Sequence, residues 1–411
     1  MGAGKLERVI GAAAMFLTVA CSAEPAQNAA VGSAAMAQSA RSAPSIACSG
    51  ELIVEKSMTL DPNCAYTSIR IVKSDVVLDC AGATIDPNYS TRYGIVIGPP
   101  KLGEVVRNVV LKNCTVKRAR RHGIYISVDG CDADKLALSE EQRYAVHPQQ
   151  IRLDNVTVVE SGNSGLYIDD YVHHVTVENS RFERNAAVGV YITHDARENV
   201  IRTSHFERNG YGEKVAPMGK GRREAIAIDS AQANRIERNV FRDNYAGAVF
   251  LYRNCWEKPE DPCQVERRKG ASDNVIADND IEGGLNGVWI ASRQYRSADR
   301  ADCGRKPDPQ RGIFNDDAKD NRVVGNRIRR TGFGIVAEDD GNVIEDNLIE
   351  HPHKACIIAG SEKRISQFGA PVHGLRVIGN SCRIGERAPQ QAGIVLVPGT
   401  KAIIEDNRVI R

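Results

Sequence analysis

Between residues 155 and 351 the chain repeats itself. The segments NVTVVESGNSGLYI (155–168), HVTVENSRFERNAAVGVYI (174–192), NRIERNVFRDNYAGAVFL (234–251), NVIADNDIEGGLNGVWI (274–290) and NRVVGNRIRRTGFGIV (321–336) share one form. It reads Asn-x-Ile/Val-x-x-Asn-x-Ile/Phe, followed by a glycine and an alternating strand. Where nothing is inserted, the period is about 22 to 24 residues. Each unit holds three short strands, and alternate residues of each strand lie on one face. None is long enough to bury that face alone, so successive units must stack in parallel and share one core. Asparagines recurring at one position can then stack in the turns and satisfy turn backbone with their amides. A helical solenoid of similar period needs long runs at helical spacing, and none occurs.

Composition agrees with strands and tight turns. Of 411 residues, 36 are glycine and only 5% are aromatic, and the net charge of +2 gives no global field for nucleic acid. Lys5 and Arg8 precede an apolar run from Val9 to Ala20, which has the layout of an export signal and is too short to span a bilayer. Leu17-Thr18-Val19-Ala20-Cys21 resembles a bacterial lipoprotein signal, which implies lipidation at Cys21; cleavage near Ala35-Met36-Ala37 is the alternative. The expected organisation is a signal over 1–21, a flexible linker over 22–45 and a single domain over 46–411. The protein is then exported to the periplasm or outer membrane, or secreted, and meets a membrane only through its N-terminal lipid. In such a compartment the ten remaining cysteines can pair. Cys255 and Cys263 bracket one short loop. Cys80 with Cys114, and Cys356 with Cys382, are placed to bridge neighbouring repeats or to serve as small buried side chains.

The repeats, together with the opening LDCAGATID (78–86), resemble the right-handed parallel β-helix proteins of the pectin-lyase-like superfamily over roughly residues 48–411. The resemblance implies an all-β, right-handed parallel β-helix of roughly ten coils with loop inserts, ended by caps at 48–75 and 400–411. It implies function less narrowly, because that superfamily includes lyases, epimerases, hydrolases, tailspikes and non-catalytic proteins.

Aligning the units on the strand after the glycine gives an outward row of Val96, Tyr125, Tyr167, Tyr191, Ala227, Phe250, Trp289 and Val336. Coils lie about 4.8 Å apart, so these form a ladder on which sugar rings can stack. Outward aromatics also stack on one another simply to shield a sheet. Beside this row run Ser127, Asp169, Thr193, Asp229 and Tyr252, then Val128, Asp170, His194, Ser230 and Arg253. Asp170 is expected about 5 Å from His194, where a carboxylate orients an imidazole and raises its pKa. Inserts at 129–150, 209–224, 254–273, 293–319 and 360–373 are expected to wall a groove over Tyr167, Asp169, Asp170, Tyr191, His194, Asp195 and Asp229. Basic runs at 220–223 and 267–269, with Arg293, Arg296 and Arg300, favour an anionic sugar polymer over a neutral one.

Three chemistries fit such a groove. In the first, a base removes the proton beside a uronate carboxylate, giving β-elimination or C5 epimerisation. Here His194 is the base, Arg253 neutralises the carboxylate, and Tyr191 or Tyr252 is the acid. Tyr125, Tyr167, Asp169, Asp170, Asp195, Asp229, Phe250, Trp289 and Arg293 bind substrate. Tyr191-x-x-His194-Asp195 is loosely similar to the mannuronan epimerase site, without that family's Asp-Pro-His order. In the second, Asp169 and Asp229, two coils or roughly 10 Å apart, act as an inverting hydrolase pair. Asp169-Asp170 is similar to the paired aspartates of polygalacturonases, whose Gly-His-Gly and Arg-Ile-Lys motifs are absent here. The third is a binding or structural solenoid without turnover, and under each reading the protein is expected to be a monomer. No cofactor is required by the motifs. Ca²⁺ on Asp169, Asp170 and Asp229, or on the Glu338-Asp339-Asp340-Gly341 turn, is the ion that the carboxylates would suit.

Overall fold

A computed structural model of the chain describes residues 50–128, 134–135, 137–212, 221–254, 267, 269–291, 318–385, 389 and 392–411. Residues Ser45–Arg411 form one compact unit. Three parallel sheets of 12, 12 and 11 strands run the length of the described solenoid, and successive strands of each sheet belong to successive coils. One coil supplies His173–Glu178, Arg181–Glu183 and Val190–Ile192, one strand to each sheet.

Alternation along each strand produces the core. Ile126, Ile168, Ile192, Ile228, Leu251 and Ile290 are paired in register from coil to coil, and all are fully buried. A register slip of one residue would turn every such side chain to the surface, so burial fixes the stacking. On another sheet Phe182, Phe206 and Phe241 stack with centroids 5.1 and 4.9 Å apart.

The turns carry the second constraint. Asn239, Asn279, Asn326, Asn347, Asn380 and Asn407 form one ladder, in which each backbone N–H donates to the Oδ1 of the next asparagine. A second ladder runs through Asn199, Asn234, Asn274, Asn321 and Asn342, and a third through Asn185, Asn209 and Asn244. The consensus asparagines therefore supply buried acceptors that the turn backbone would otherwise lack. The consensus glycine has a steric reason. A Cβ on Gly165 would lie 2.6 Å from the Gly189 carbonyl oxygen and 3.0 Å from the Phe182 ring.

Cys80–Cys114 and Cys356–Cys382 are disulfides between adjacent coils. Cys64 is disulfide-bonded as well. Cys255 and Cys263 lie outside the described residues, as do Cys21, Arg293, Arg296 and Arg300. In the expected C-terminal cap, strands Lys401–Glu405 and Arg408–Ile410 continue the coil pattern, and Ile403, Ile404, Val409 and Ile410 on them are exposed.

Candidate functional site

The aromatic row falls in register from Val96 through Tyr125, Tyr167, Tyr191, Ala227, Phe250 and Trp289 to Val336. Its tyrosines do two things at once. Tyr167 and Tyr191 stack with centroids 5.2 Å apart, and Tyr125 stacks on Tyr93 at 4.6 Å. Their hydroxyls meanwhile reach the neighbouring row: Tyr125 donates to Asp169 at 2.6 Å and Tyr191 donates to Asp229 at 2.6 Å.

The insert after Val128 packs directly over the His-Asp corner. Ser139 and Gln142 form a capping box that starts the helix Glu140–Val146. From this helix the Tyr144 hydroxyl donates to the Asp195 carbonyl at 2.9 Å, and Arg143 donates to the Tyr171 hydroxyl at 2.8 Å. Just before it, buried Lys135 pairs with Asp170 at 3.1 Å. Two residues of the insert after Arg253 reach the same corner. Arg267 pairs with Asp229 at 3.3 Å, while Lys269 pairs with Glu140 and lies 4.0 Å from Asp195. Two inserts more than a hundred residues apart thus meet over one strand end.

Asp169 and Asp170 are chain neighbours with opposite tendencies. Burial, then the charge of Asp170, pushes the Asp169 carboxyl up. Burial works on Asp170 too, yet Lys135 first, then His194 and His147, hold it well below the usual carboxylate range. Asp229 is also held low: Arg267, Tyr191, the Asn254 amide and Ser230 together outweigh its burial. Adjacent carboxyls driven apart in this way are the usual signature of separate acid and base roles.

His194 sits 4.0 Å from Asp170 through Nε2, with its Nδ1 3.3 Å from the Thr193 hydroxyl. The carboxylate was expected to raise the imidazole pKa. The net direction is the reverse, because burial disfavours the imidazolium more than Asp170 favours it. Lys135 neutralises much of that carboxylate, and Arg267 adds a repelling charge. His194 is therefore neutral at neutral pH. Its Nε2 is buried and has no hydrogen-bond partner. His147, likewise beside Asp170, is lowered to about 4 by burial.

Two of the expected catalytic residues are engaged within the protein. Arg253 is buried and donates to the Arg267 carbonyl, so its guanidinium helps to brace the second insert. The Tyr252 hydroxyl donates to Glu224 at 3.1 Å and accepts from Arg223 at 2.9 Å, because a fully buried phenol must find partners inside. It is not brought to His194. In their place the fold assembles Lys135, Arg267 and Lys269. Arg267 and Lys269 belong to a basic run visible in the sequence; Lys135 had no periodic signal at all.

The carboxylates considered for Ca²⁺ are occupied by protein donors. Asp169 accepts from Tyr125 and Ser127, Asp170 from Lys135, and Asp339 and Asp340 pair with the buried Arg364. Among the described residues no group of three or more His, Cys, Asp or Glu side chains is arranged to hold a metal ion.

Asp195 offers a pH test of this electrostatic picture. Burial raises its carboxyl to about 6 against the pull of Lys269. The folded chain then keeps a proton that the unfolded chain releases near the ordinary value, so stability falls as pH climbs from about 4 to about 6. Asp195→Asn should match the wild type at pH 4 and exceed it at pH 8 by about 2–3 kcal/mol in urea unfolding. Asparagine also suits the left-handed backbone there, φ 59°. Equal stability of the two proteins at pH 8 would contradict the burial argument.

Comparison with known proteins agrees with the architecture. A family model described as a right-handed β-helix region matches residues 102–261. Another, described as a periplasmic copper-binding protein (NosD), matches residues 217–368. The described residues offer copper no such group of ligands, and Cys356 and Cys382 are committed to a disulfide. No curated protein matches the sequence. Among solved structures, the mannuronan C-5 epimerase AlgE6 A-module of Azotobacter vinelandii aligns with a TM-score of 0.53 at 10% identity, covering 88% of this chain and 91% of that one. The periplasmic alginate epimerase AlgG aligns with a TM-score of 0.50 at 12% identity over 88% of this chain and 76% of its own. The tailspike of E. coli bacteriophage HK620, solved with a hexasaccharide, gives 0.50 at 10% identity over 88% of this chain and 59% of its own. With three parallel sheets in register and these likenesses in hand, the chain is a right-handed parallel β-helix protein.

Proposed function

We propose that this protein is an exported polysaccharide lyase or C5 epimerase that removes the C5 proton of uronate residues in an anionic polysaccharide, with His194 as the base. One observation carries the reading. Asp169, Asp170 and Asp229 are each filled by protein donors or paired with a cation, whereas Nε2 of the neutral His194 imidazole is buried with no hydrogen-bond partner. A hydrolase built on Asp169 and Asp229 would need a carboxylate able to take a proton from water, and Asp229 already accepts from Tyr191, Ser230 and Asn254 beside Arg267. The fold relatives named for mannuronan and alginate epimerisation support the same substrate class.

The chemistry runs as a balanced transfer. Nε2 of His194 takes the C5 proton, and the electron pair is held on the uronate carboxylate as an enolate. Arg267 and Lys269, at the rim of the cluster, are the cations for that charge. In elimination the C4–O bond then breaks, and the leaving oxygen takes a proton. In epimerisation C5 is reprotonated from the opposite face. Tyr191 is the donor for either outcome, since burial, then Asp229, keeps its phenol protonated. Because Nε2 is covered in the free protein, the reading requires the cluster to open when substrate binds.

The test is a panel of polyuronates, including alginate, pectate and glucuronan, followed by ultraviolet absorbance of the unsaturated product and by loss of label at C5. New reducing ends matched by a rise in absorbance identify elimination, and solvent exchange at C5 alone identifies epimerisation. New reducing ends without absorbance would replace this reading with hydrolysis, and silence in every assay would leave a binding solenoid. Export and lipidation at Cys21 belong to the same proposal and rest on the N-terminal sequence. The mass of the mature N-terminus decides them: a diacylated Cys21 is expected, and an unmodified start near residue 38 would refute lipidation.

A further inference from the structure

Beyond the His194 cluster the outward row changes character. From Phe250 onward it carries no tyrosine bound to an aspartate. Phe250, Trp289, Val336 and Ile358 follow one another in register, and with Phe333 and Lys354 they line a pocket of ≈ 480 Å³. That volume is within the usual ~300–1,000 Å³ of small-ligand sites. Leu285 at its edge is 55% exposed, so the apolar floor extends to solvent.

The floor is held in place. Trp289 Nε1 donates to Glu338 at 2.8 Å, and the Phe250 ring meets the indole edge-on at 5.1 Å. Lys354 is exposed, with Nζ 4.9 Å above the Phe333 ring. Among the described residues it makes no ion pair. The pocket therefore offers an oriented aromatic plane, a largely apolar surround and the Lys354 cation; of the polar side chains that also line it, Glu338 is engaged by the indole N–H, and Asn286 lies at its edge. A neutral apolar ligand would leave the cation unused, and a small anion would leave the plane unused. A uronosyl ring uses both: its C–H face stacks on Trp289 and Phe333, and its carboxylate meets Lys354.

We infer that this pocket is a distal binding subsite for a uronate sugar of the same polymer chain whose reacting residue lies at His194; the inference rests on the polysaccharide reading above. Trp289 is three coils from Tyr191, about 14 Å along the solenoid. An extended pyranose polymer advances by a similar step per residue. A chain laid along the row thus places a sugar at Trp289 when another, about three residues away, lies at Tyr191. The subsite selects for length: short oligomers reach only one end.

Calorimetric titration with di-, tetra-, hexa- and octasaccharides of alginate and of pectate tests this. Wild-type affinity should step up between the disaccharide and the tetrasaccharide, the shortest of these oligomers that spans both ends. Trp289→Ala and Phe333→Ala should each weaken the hexasaccharide roughly three- to tenfold and leave the disaccharide unchanged. Lys354→Gln should weaken the acidic hexasaccharide and not its carboxyl-reduced form. Since Trp289 also anchors Glu338, the half-exposed Phe333 and the exposed Lys354 supply variants whose folding is safe, checked by circular dichroism. Hexasaccharide binding unchanged in all three variants overturns the subsite and leaves the His194 reading standing. A wild type that binds no oligomer of these polymers or of any other polyuronate in the panel overturns both.

Discussion

Replacing His194 with alanine should lower turnover of the substrate polyuronate by about 10²–10⁴-fold, the ordinary worth of a positioned general base. Binding of the polymer should change little, because the imidazole makes no hydrogen bond through Nε2 that the variant would lose. The loss must therefore appear in kcat and not in KM. A structural role can also lower kcat, so two further readouts separate the cases. Added imidazole should restore part of the activity of the alanine variant, which repair of packing would not do. In the wild type, kcat/KM should be flat at neutral pH and fall only as pH drops below the ordinary histidine range, since burial moves the pKa of His194 downward. A profile that instead falls above pH 6.5 would mean that the charged imidazolium is the working form. Asp170 is a poor alternative target. Removing it breaks the buried ion pair with Lys135, at a cost of about 3–5 kcal/mol, and lost activity would then report unfolding.

The largest expected loss of stability lies in the asparagine ladder. Asn279 accepts from the Asn239 N–H at 2.9 Å and from its Nδ2 at 3.1 Å, and donates to the Ile236 carbonyl and to Asn326, both at 2.9 Å. Asn279→Ala removes all four contacts at a site with almost no access to water. The Asn239 amide and the Ile236 carbonyl stay buried without these partners, at about 1–3 kcal/mol each. An overall loss of about 3–5 kcal/mol follows, measured by urea denaturation. Asn63→Ala is the control: Asn63 is exposed and bonds only to nearby Asp61, so its loss should stay within about 0.5 kcal/mol. Near-equal effects at the two positions would show that the ladder merely accompanies the fold. In a stack whose coils touch only their neighbours, the Asn279 variant should also loosen adjacent coils before distant ones.

Much of the architecture was legible in the chain because two local rules recur with every coil. Alternation of apolar residues sets which face of each strand is buried, and a slip of one residue reverses it, so the outward row from Val96 to Val336 could be aligned without coordinates. The consensus asparagine and glycine mark where turn backbone needs an acceptor and where a Cβ has no room. The disulfides Cys80–Cys114 and Cys356–Cys382 follow from the same stacking. What escaped was aperiodic. Lys135, Arg267 and Lys269 come from inserts with no repeat to align them, and only closure of those inserts over residues 193–195 brings them to Asp170, Asp229 and Asp195. The proton affinity of His194 was misjudged for a related reason. Sequence spacing showed the carboxylate beside it, but the depth of burial and the lysine that answers that carboxylate exist only in the folded chain. Sequence alone thus determined the solenoid and its rows, since those depend on neighbours one coil apart. The charge state of the site was decided by tertiary structure, because desolvation and long-range ion pairing depend on everything packed above it.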